Sequence, residues 1–344
     1  GRRMIDMLCA LGAISLGYGF TTTSRDAIMD GWIYSLPSPA EAEAAHLFLD
    51  YVAPWATRCK FVTTGSEATQ AAYQIATHET GRPYVLTMGG SYHGWHSWSW
   101  RNAAGVPDDP RTFSYVHGAD LGVVLSARGL SPSDVAACFW EPHRWEPTDR
   151  DWLRRMRQYC ADHGILFVID EMIYGGRWHL GGACGYFDVT PDLACFGKAF
   201  GNGAPIACVV GSSTLLDGSG GMVSGTFSGD TVALSAVLEV VRFYRHWPVI
   251  DTLWARGEQL RVGLRQVCAA HPAMGAVVEG AAPVHQRLRF PDPATGHLFS
   301  QQMIQRDILW HPDVVNVMYA HTPEVITRVI DAADESLAAL EGAR

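Results

Sequence analysis

Lys198 stands in the run Phe196-Gly197-Lys198-Ala199-Phe200-Gly201, and the only other lysine is Lys60, against 24 arginines. A chain that carries its bulk positive charge on arginine has little need of one lysine set between glycine and aromatics. Burial lowers the pKa of such an amine, and the neutral amine is the form that attacks an aldehyde. The ordinary alternative is a lysine with an apolar stem and a solvated tip. Three more groups have chemistry available to them. Thr63-Thr64-Gly65-Ser66-Glu67-Ala68 opens a helical pattern, and backbone N–H groups beside glycine and hydroxyls suit a phosphate. An N-capping serine would explain the same residues. Tyr92-His93-Gly94 offers a ring that could stack on a flat ligand, or simply pack under a loop. Asp170-Glu171 follows Ile165-Leu-Phe-Val-Ile, and a carboxylate there needs a cationic or N–H partner.

Taken in order, these groups fit one cofactor better than their separate explanations do. A phosphate cradle, a stacking aromatic, a buried acid and a nucleophilic lysine are the requirements of pyridoxal 5′-phosphate (PLP) chemistry. The acid keeps the pyridine nitrogen protonated, and the lysine holds the aldehyde as a Schiff base. His93 and His96 have a spacing available to metal ligands, but no third ligand is near, so no metal site is expected.

The elements that must position these residues follow from periodicity. Ala68, Ala71, Ala72, Ile75 and Ala76 recur at helical spacing, which predicts a helix over 66–80 ending at Gly81. Short apolar runs at 84–88, 134–140, 165–169, 193–196 and 206–210 read as strands, and 151–163 as a helix closed by Gly164. Unbroken apolar strands belong to a sheet covered on both faces, and their alternation with helices predicts a mostly parallel sheet. Ligands bind beyond the carboxyl ends of such strands, where the four groups lie. The pattern changes near Trp247, with helices over 251–270 and 323–340 and a strand over 285–290. The expected division is residues 1–50 contributing to a small domain and the substrate entrance, 51–250 as the large cofactor domain, and 251–344 as a smaller α+β domain.

Composition is consistent with this reading. The chain has 344 residues, 48% of them hydrophobic, and a net charge of -9. That supports a sizeable core and excludes wholesale disorder. No long basic run points to nucleic acid or an anionic membrane. No apolar stretch spans a bilayer. The eight cysteines are all at least 11 residues apart, so C-x-x-C motifs are absent. They read as small buried hydrophobes in a reducing, cytoplasmic setting.

The sequence resembles the class III aminotransferases, PLP enzymes of fold type I, and within them the glutamate-1-semialdehyde aminomutase group. The motifs are Phe61-Val-Thr-Thr-Gly-Ser-Glu-Ala, Gly90-Ser-Tyr-His-Gly, Glu141-Pro, Asp170-Glu-Met-Ile-Tyr-Gly-Gly-Arg177, Pro191-Asp-Leu-Ala-Cys-Phe-Gly-Lys198, Gly203-Ala-Pro-Ile and Gly225-Thr-Phe-Ser-Gly. With Arg3-Met-Ile-Asp and Leu16-Gly-Tyr near the start and Ala320-His-Thr-Pro-Glu near the end, they run through essentially the whole chain in order. The resemblance implies that Gly65 and Ser66 hold the phosphate, that Tyr92 stacks on one ring face and that Met172 packs on the other. It implies that Asp170 pairs with the pyridine nitrogen, with His93 and Glu141 beside the cofactor. Lys198 would bind the aldehyde and shuttle the proton. Thr226 would reach the cofactor phosphate of a partner subunit, giving a homodimer with its active site at the interface.

Departures from the family bear on the substrate. The chain begins close to the Gly-x-x-x-Ile-Asp segment, so the N-terminal cover of the substrate pocket is expected to be absent. His143-Arg144-Trp145-Glu146-Pro147 replaces a small loop, Ile173 stands where some subgroups have glutamine, and no counterpart of the carboxylate-binding C-terminal arginine is evident. Trp32, Tyr34, Trp145 and Trp178 are the expected substrate residues, with His96, Trp98 and His179 near them. An aromatic pocket of this kind suits an amino sugar, an aminocyclitol or another neutral metabolite. The expected activity is ping-pong transfer of an amino group from a donor amine to a carbonyl acceptor. An aminomutase or a racemase/epimerase is the alternative within PLP chemistry, and a PLP-binding protein without catalysis is the alternative outside it.

Overall fold

The computed structural model describes residues 1–20, 31–99, 109–218 and 220–343. The chain forms two compact units. One comprises Gly1–Phe20, His143–Pro147 and Trp247–Arg344, and the other comprises Thr21–Pro142 and Thr148–His246. These limits differ from divisions at residues 50 and 250.

The larger unit is built on seven strands: β2 (Arg58–Val62), β3 (Tyr84–Met88), β4 (Thr112–Tyr115), β5 (Val135–Trp140), β6 (Leu166–Asp170), β7 (Leu193–Phe196) and β8 (Ala207–Gly211). Their order is β2-β8-β7-β6-β5-β3-β4. The five strands from β7 to β4 pair in parallel, whereas β8 runs antiparallel to both β7 and β2. Every residue of β5, β7 and β8 is buried, which is why these strands are continuously apolar rather than alternating. The expected mostly parallel α/β sheet is thus the observed one.

Helix α1 (Pro39–Tyr51) starts at the N-cap Ser38 and packs against α7 (Thr231–His246). It belongs to the larger unit because its buried Phe48 meets Phe196 and Phe200 edge-on, at 5.3 and 4.9 Å between ring centres. Helix α2 (Gly65–Thr80) covers β7 and β8. Its start is set by Thr64 rather than Ser66. Thr64 Oγ1 accepts from Glu67 N–H at 3.2 Å, and Glu67 accepts from the N–H groups of Thr63 and Thr64 at 2.7 and 3.1 Å. That reciprocal capping box outweighs a lone serine. Gly81 closes the helix at φ +65°, a conformation that favours glycine. Among the described residues the unit's other α-helices are α3 (Leu121–Ser126), α4 (Arg150–His163), α5 (Gly182–Phe187) and α6 (Ser213–Gly218).

In the smaller unit, β1 (Ile5–Asp6) pairs in parallel with β11 (Ile308–Leu309). A second sheet has the order β12 (Val315–Asn316), β10 (His285–Arg289), β9 (Val277–Ala282) and is antiparallel. Helices α8 (Val249–Ala270), α9 (Pro293–Gln305) and α10 (Pro323–Gly342) complete it. The segment His143–Pro147 joins this unit because Ala281 N–H donates to Arg144 O at 3.0 Å and Trp145 stacks on His285.

All eight cysteines are free thiols; Cys59 and Cys268 are half-buried and the other six buried. No helix among the described residues is long and apolar enough to cross a membrane.

Candidate active site

The carboxyl ends of β3, β5, β6 and β7, with the start of α2, carry most of the expected cofactor residues within the larger unit. Asp170 is the last residue of β6 and only 2% exposed. Its Oδ1 accepts from Met172 N–H at 3.0 Å, and its Oδ2 lies 2.9 Å from Nδ1 of His93, itself 1% exposed. Buried charge is tolerated only with such partners. His93 therefore serves as the partner of Asp170. The other ring nitrogen of His93, Nε2, is buried with no hydrogen-bond partner among the described residues. Glu141 follows β5 and accepts from Tyr92 N–H at 3.1 Å. That bond fixes the Tyr92 backbone while 41% of the residue stays exposed.

Lys198 follows β7 and is half-buried. Its φ of +45° lies in the left-handed region, which costs a non-glycine residue energy and concentrates at functional sites. Space beside it is tight. A Cβ on Gly197 would lie 2.8 Å from Met172 Sδ, and a Cβ on Gly65 would lie 2.8 Å from the same atom. Met172 thus packs against the phosphate-loop candidate and the lysine segment together.

The loop after Tyr92 is fastened to the start of α2. A Cβ on Gly94, at φ +96°, would stand 2.7 Å from Ser66 Oγ. Nε2 of His96 is 2.6 Å from Ser66 O, and Thr69 Oγ1 donates to His93 O at 2.6 Å. Sequence spacing carries no signal for these contacts, because each joins residues 24 to 30 positions apart.

The expected substrate residues are not one group. Trp32 and Tyr34 are exposed in the larger unit. Tyr34 lines a cavity of about 200 Å³ together with Lys60 and the exposed Thr226. Trp178 is buried, meeting Tyr174 and Tyr186 edge-on at 4.9 and 5.2 Å, so it is part of the packing. Trp98 is buried too, and donates to Gln70 Oε1 at 2.8 Å. Trp145 lies in the smaller unit between His285 and Arg287, at 5.5 and 4.4 Å. An indole's apolar area and N–H allow both a core role and a surface one, and sequence does not separate them.

Glu171, next to Asp170, is fully buried and accepts from the N–H groups of Ala183 and Cys184, each at 2.7 Å. Burial pushes its carboxyl up to about 7, against the pull of those donors.

The geometry fits PLP. Two glycines leave their backbone open around Met172, a tyrosine ring is exposed beside them, and a buried carboxylate is held in place by a histidine. This sheet and site define a fold-type I PLP enzyme. The class-III aminotransferase profile matches residues 126–281. The chain is 29% identical to an aminopentol aminotransferase of Sphingopyxis macrogoltabida, over 98% of its own length and 82% of the relative's. It is 32% identical to a 2'-deamino-2'-hydroxyneamine transaminase of Streptomyces kanamyceticus, covering 79% of this chain and 70% of the relative. With a glutamate-1-semialdehyde 2,1-aminomutase of Archaeoglobus fulgidus the identity is 29%, covering 98% and 89%. Among solved structures, the FumI protein of Sphingopyxis sp. MTA144, in its PLP internal aldimine form, superposes with a TM-score of 0.87 at 27% identity, covering 98% of this chain and 84% of that one. The chain belongs to the class-III aminotransferases, a PLP-dependent enzyme family.

Proposed function

We propose that this enzyme transfers an amino group from an amine lacking an α-carboxylate to a carbonyl acceptor, using PLP held by Lys198. The observation that carries the site assignment is the convergence of Asp170–His93, Met172 between two glycines, and Lys198 at the ends of adjacent strands. When bound, PLP supplies an aldehyde and an electron-accepting ring. Asp170 provides the charge facing the pyridine nitrogen, and His93 keeps that carboxylate oriented. Gly65 and Ser66 present N–H groups for the phosphate at the start of α2. Tyr92 offers its exposed ring to one face of the cofactor and Met172 packs toward the other. Lys198 Nζ is the nucleophile that anchors the cofactor, and the base that takes and returns the proton at the amine-bearing carbon.

The relatives named for aminopentol and for 2'-deamino-2'-hydroxyneamine support an amine without an α-carboxylate. A second reading, intramolecular amino transfer, rests on the aminomutase relative. A homodimer in which Thr226 reaches the partner's cofactor is supported by the exposure of Thr226, and a reducing cytoplasmic setting by the eight free thiols. The test is a half-reaction. Purified enzyme is mixed with single amines, and the visible absorbance of the cofactor is followed. A transaminase releases a carbonyl product and retains pyridoxamine phosphate with donor alone. Lys198→Ala is expected to bind PLP non-covalently and lose turnover by at least about 10⁴-fold, an estimate combining base and nucleophile roles. Isomerised amine without a released carbonyl product would establish the aminomutase reading instead.

A further inference from the structure

Trp95 lies outside the motifs that hold the cofactor, and 71% of it is exposed. Such an indole standing alone would mean little, but this one lies against other rings. Its ring stacks on His96 at 6.1 Å and 13°. His96 continues onto Trp98 at 6.4 Å and 5°, and Trp98 onto Tyr73 at 4.9 Å and 14°. Trp98 is 3% exposed and tied to Gln70. The column therefore runs from a helix-anchored base in the core to an open ring at the surface. Both chain neighbours of Trp95 touch Ser66: Gly94 lies against its side chain and His96 Nε2 is 2.6 Å from its carbonyl. Neighbouring Cα atoms are about 3.8 Å apart, so Trp95 borders the residue proposed to hold the phosphate. Tyr92, three positions earlier on the same loop, presents the other exposed ring.

We infer that Trp95 is a specificity-determining residue whose outer face receives the non-reacting, C–H-rich body of the amine substrate, such as a saturated hydroxylated ring. This rests on the PLP reading of the neighbouring site. An indole face suits that body for two reasons. Its large apolar surface is already held in place, so little conformational freedom is lost on binding. It also offers a π face to C–H groups but no positive charge for a carboxylate.

The test uses the PLP-loaded enzyme with Trp95→Ala and Trp95→Phe, assayed on an aminocyclitol, on glucosamine and on the small amine isopropylamine. The expected result for Trp95→Ala is a KM for the ring amines raised about tenfold, with kcat and the isopropylamine KM unchanged. Trp95→Phe should recover most of the loss. An equal loss on all three amines, or loss of oligomeric mass in solution, would overturn the proposal by making Trp95 a structural or subunit-contact residue. Unchanged ring-amine KM values would overturn it as well. Failure of the parent enzyme to bind PLP is a separate readout, because it removes the site reading before any Trp95 comparison is made.

Discussion

His93 shows how much of the proposed site lies in a residue's partners. Its Nδ1 lies 2.9 Å from Asp170 in a fully buried setting, where a hydrogen bond to a charged group contributes about 1.5–3 kcal/mol. His93→Phe keeps the ring volume and removes the bond. Its expected effect is a fall of about 10–100-fold in kcat/KM, with the cofactor still bound and its absorbance band shifted. A variant with wild-type absorbance and turnover would remove His93 from the site. Glu171 makes the opposite point, since it is just as buried and acts on structure. Its folded pKa of about 7 is raised above the ordinary 4.5. Its contribution to stability is therefore fully present below about 4.5 and is lost as pH rises through 7. Against Glu171→Gln, which keeps an acceptor for Ala183 and Cys184, the wild-type melting temperature should fall steadily between pH 4.5 and 7.5. The total change should be on the order of a few kcal/mol. A constant difference across that range would show that the carboxyl titrates normally.

At the scale of elements, the site depends on close approach of three loops. Gly197 has φ -178°, extended backbone open to any residue, so its requirement is space alone. Gly197→Ala would press on Met172 Sδ at 2.8 Å and cost about 1–3 kcal/mol by overpacking. The expected signature is weakened PLP retention, measured by dialysis and absorbance. A Gly197→Ala enzyme that retains PLP as firmly as the wild type would show that the side chains around it make room. Much of this level was legible beforehand. The helix over 66–80 and the strands ending near 140, 169 and 196 followed from periodicity, and observed boundaries moved by only a residue or so. The start of α2 differs from the expected one because Ser66 and Thr64 are both capping types, and only Glu67 bonding back to Thr64 decides between them.

For the whole molecule, the two-unit division cuts the chain at places that composition does not mark. Residues 143–147 lie far in sequence from the rest of their unit, joined to it by the Ala281–Arg144 bond and the Trp145–His285 stack. The proposed homodimer belongs to this scale. If Thr226 completes the site of the partner subunit, Lys198→Ala and Thr226→Asp will each be nearly inactive alone. Co-refolding the two should regenerate one intact site per mixed dimer and restore up to roughly a quarter of wild-type activity, since about half of randomly paired dimers are mixed. No recovery, with mixed dimers demonstrated by mass, would place Thr226 and Lys198 in the same subunit's site.

The sequence by itself points to PLP chemistry and to the candidate residues for it. Lys198, Asp170, Tyr92 and Gly65-Ser66 occur at the ends of apolar runs, and strand alternation with helices places such ends on one edge of a parallel sheet. Only the tertiary structure decided which aromatic residues are open to a ligand. It buried Trp178 and Trp98, put Trp145 against His285, and left Trp95 exposed on a column of stacked rings. The physical reason is that burial of an indole is set by long-range neighbours, whereas the direction of a strand end is set locally by the strand itself.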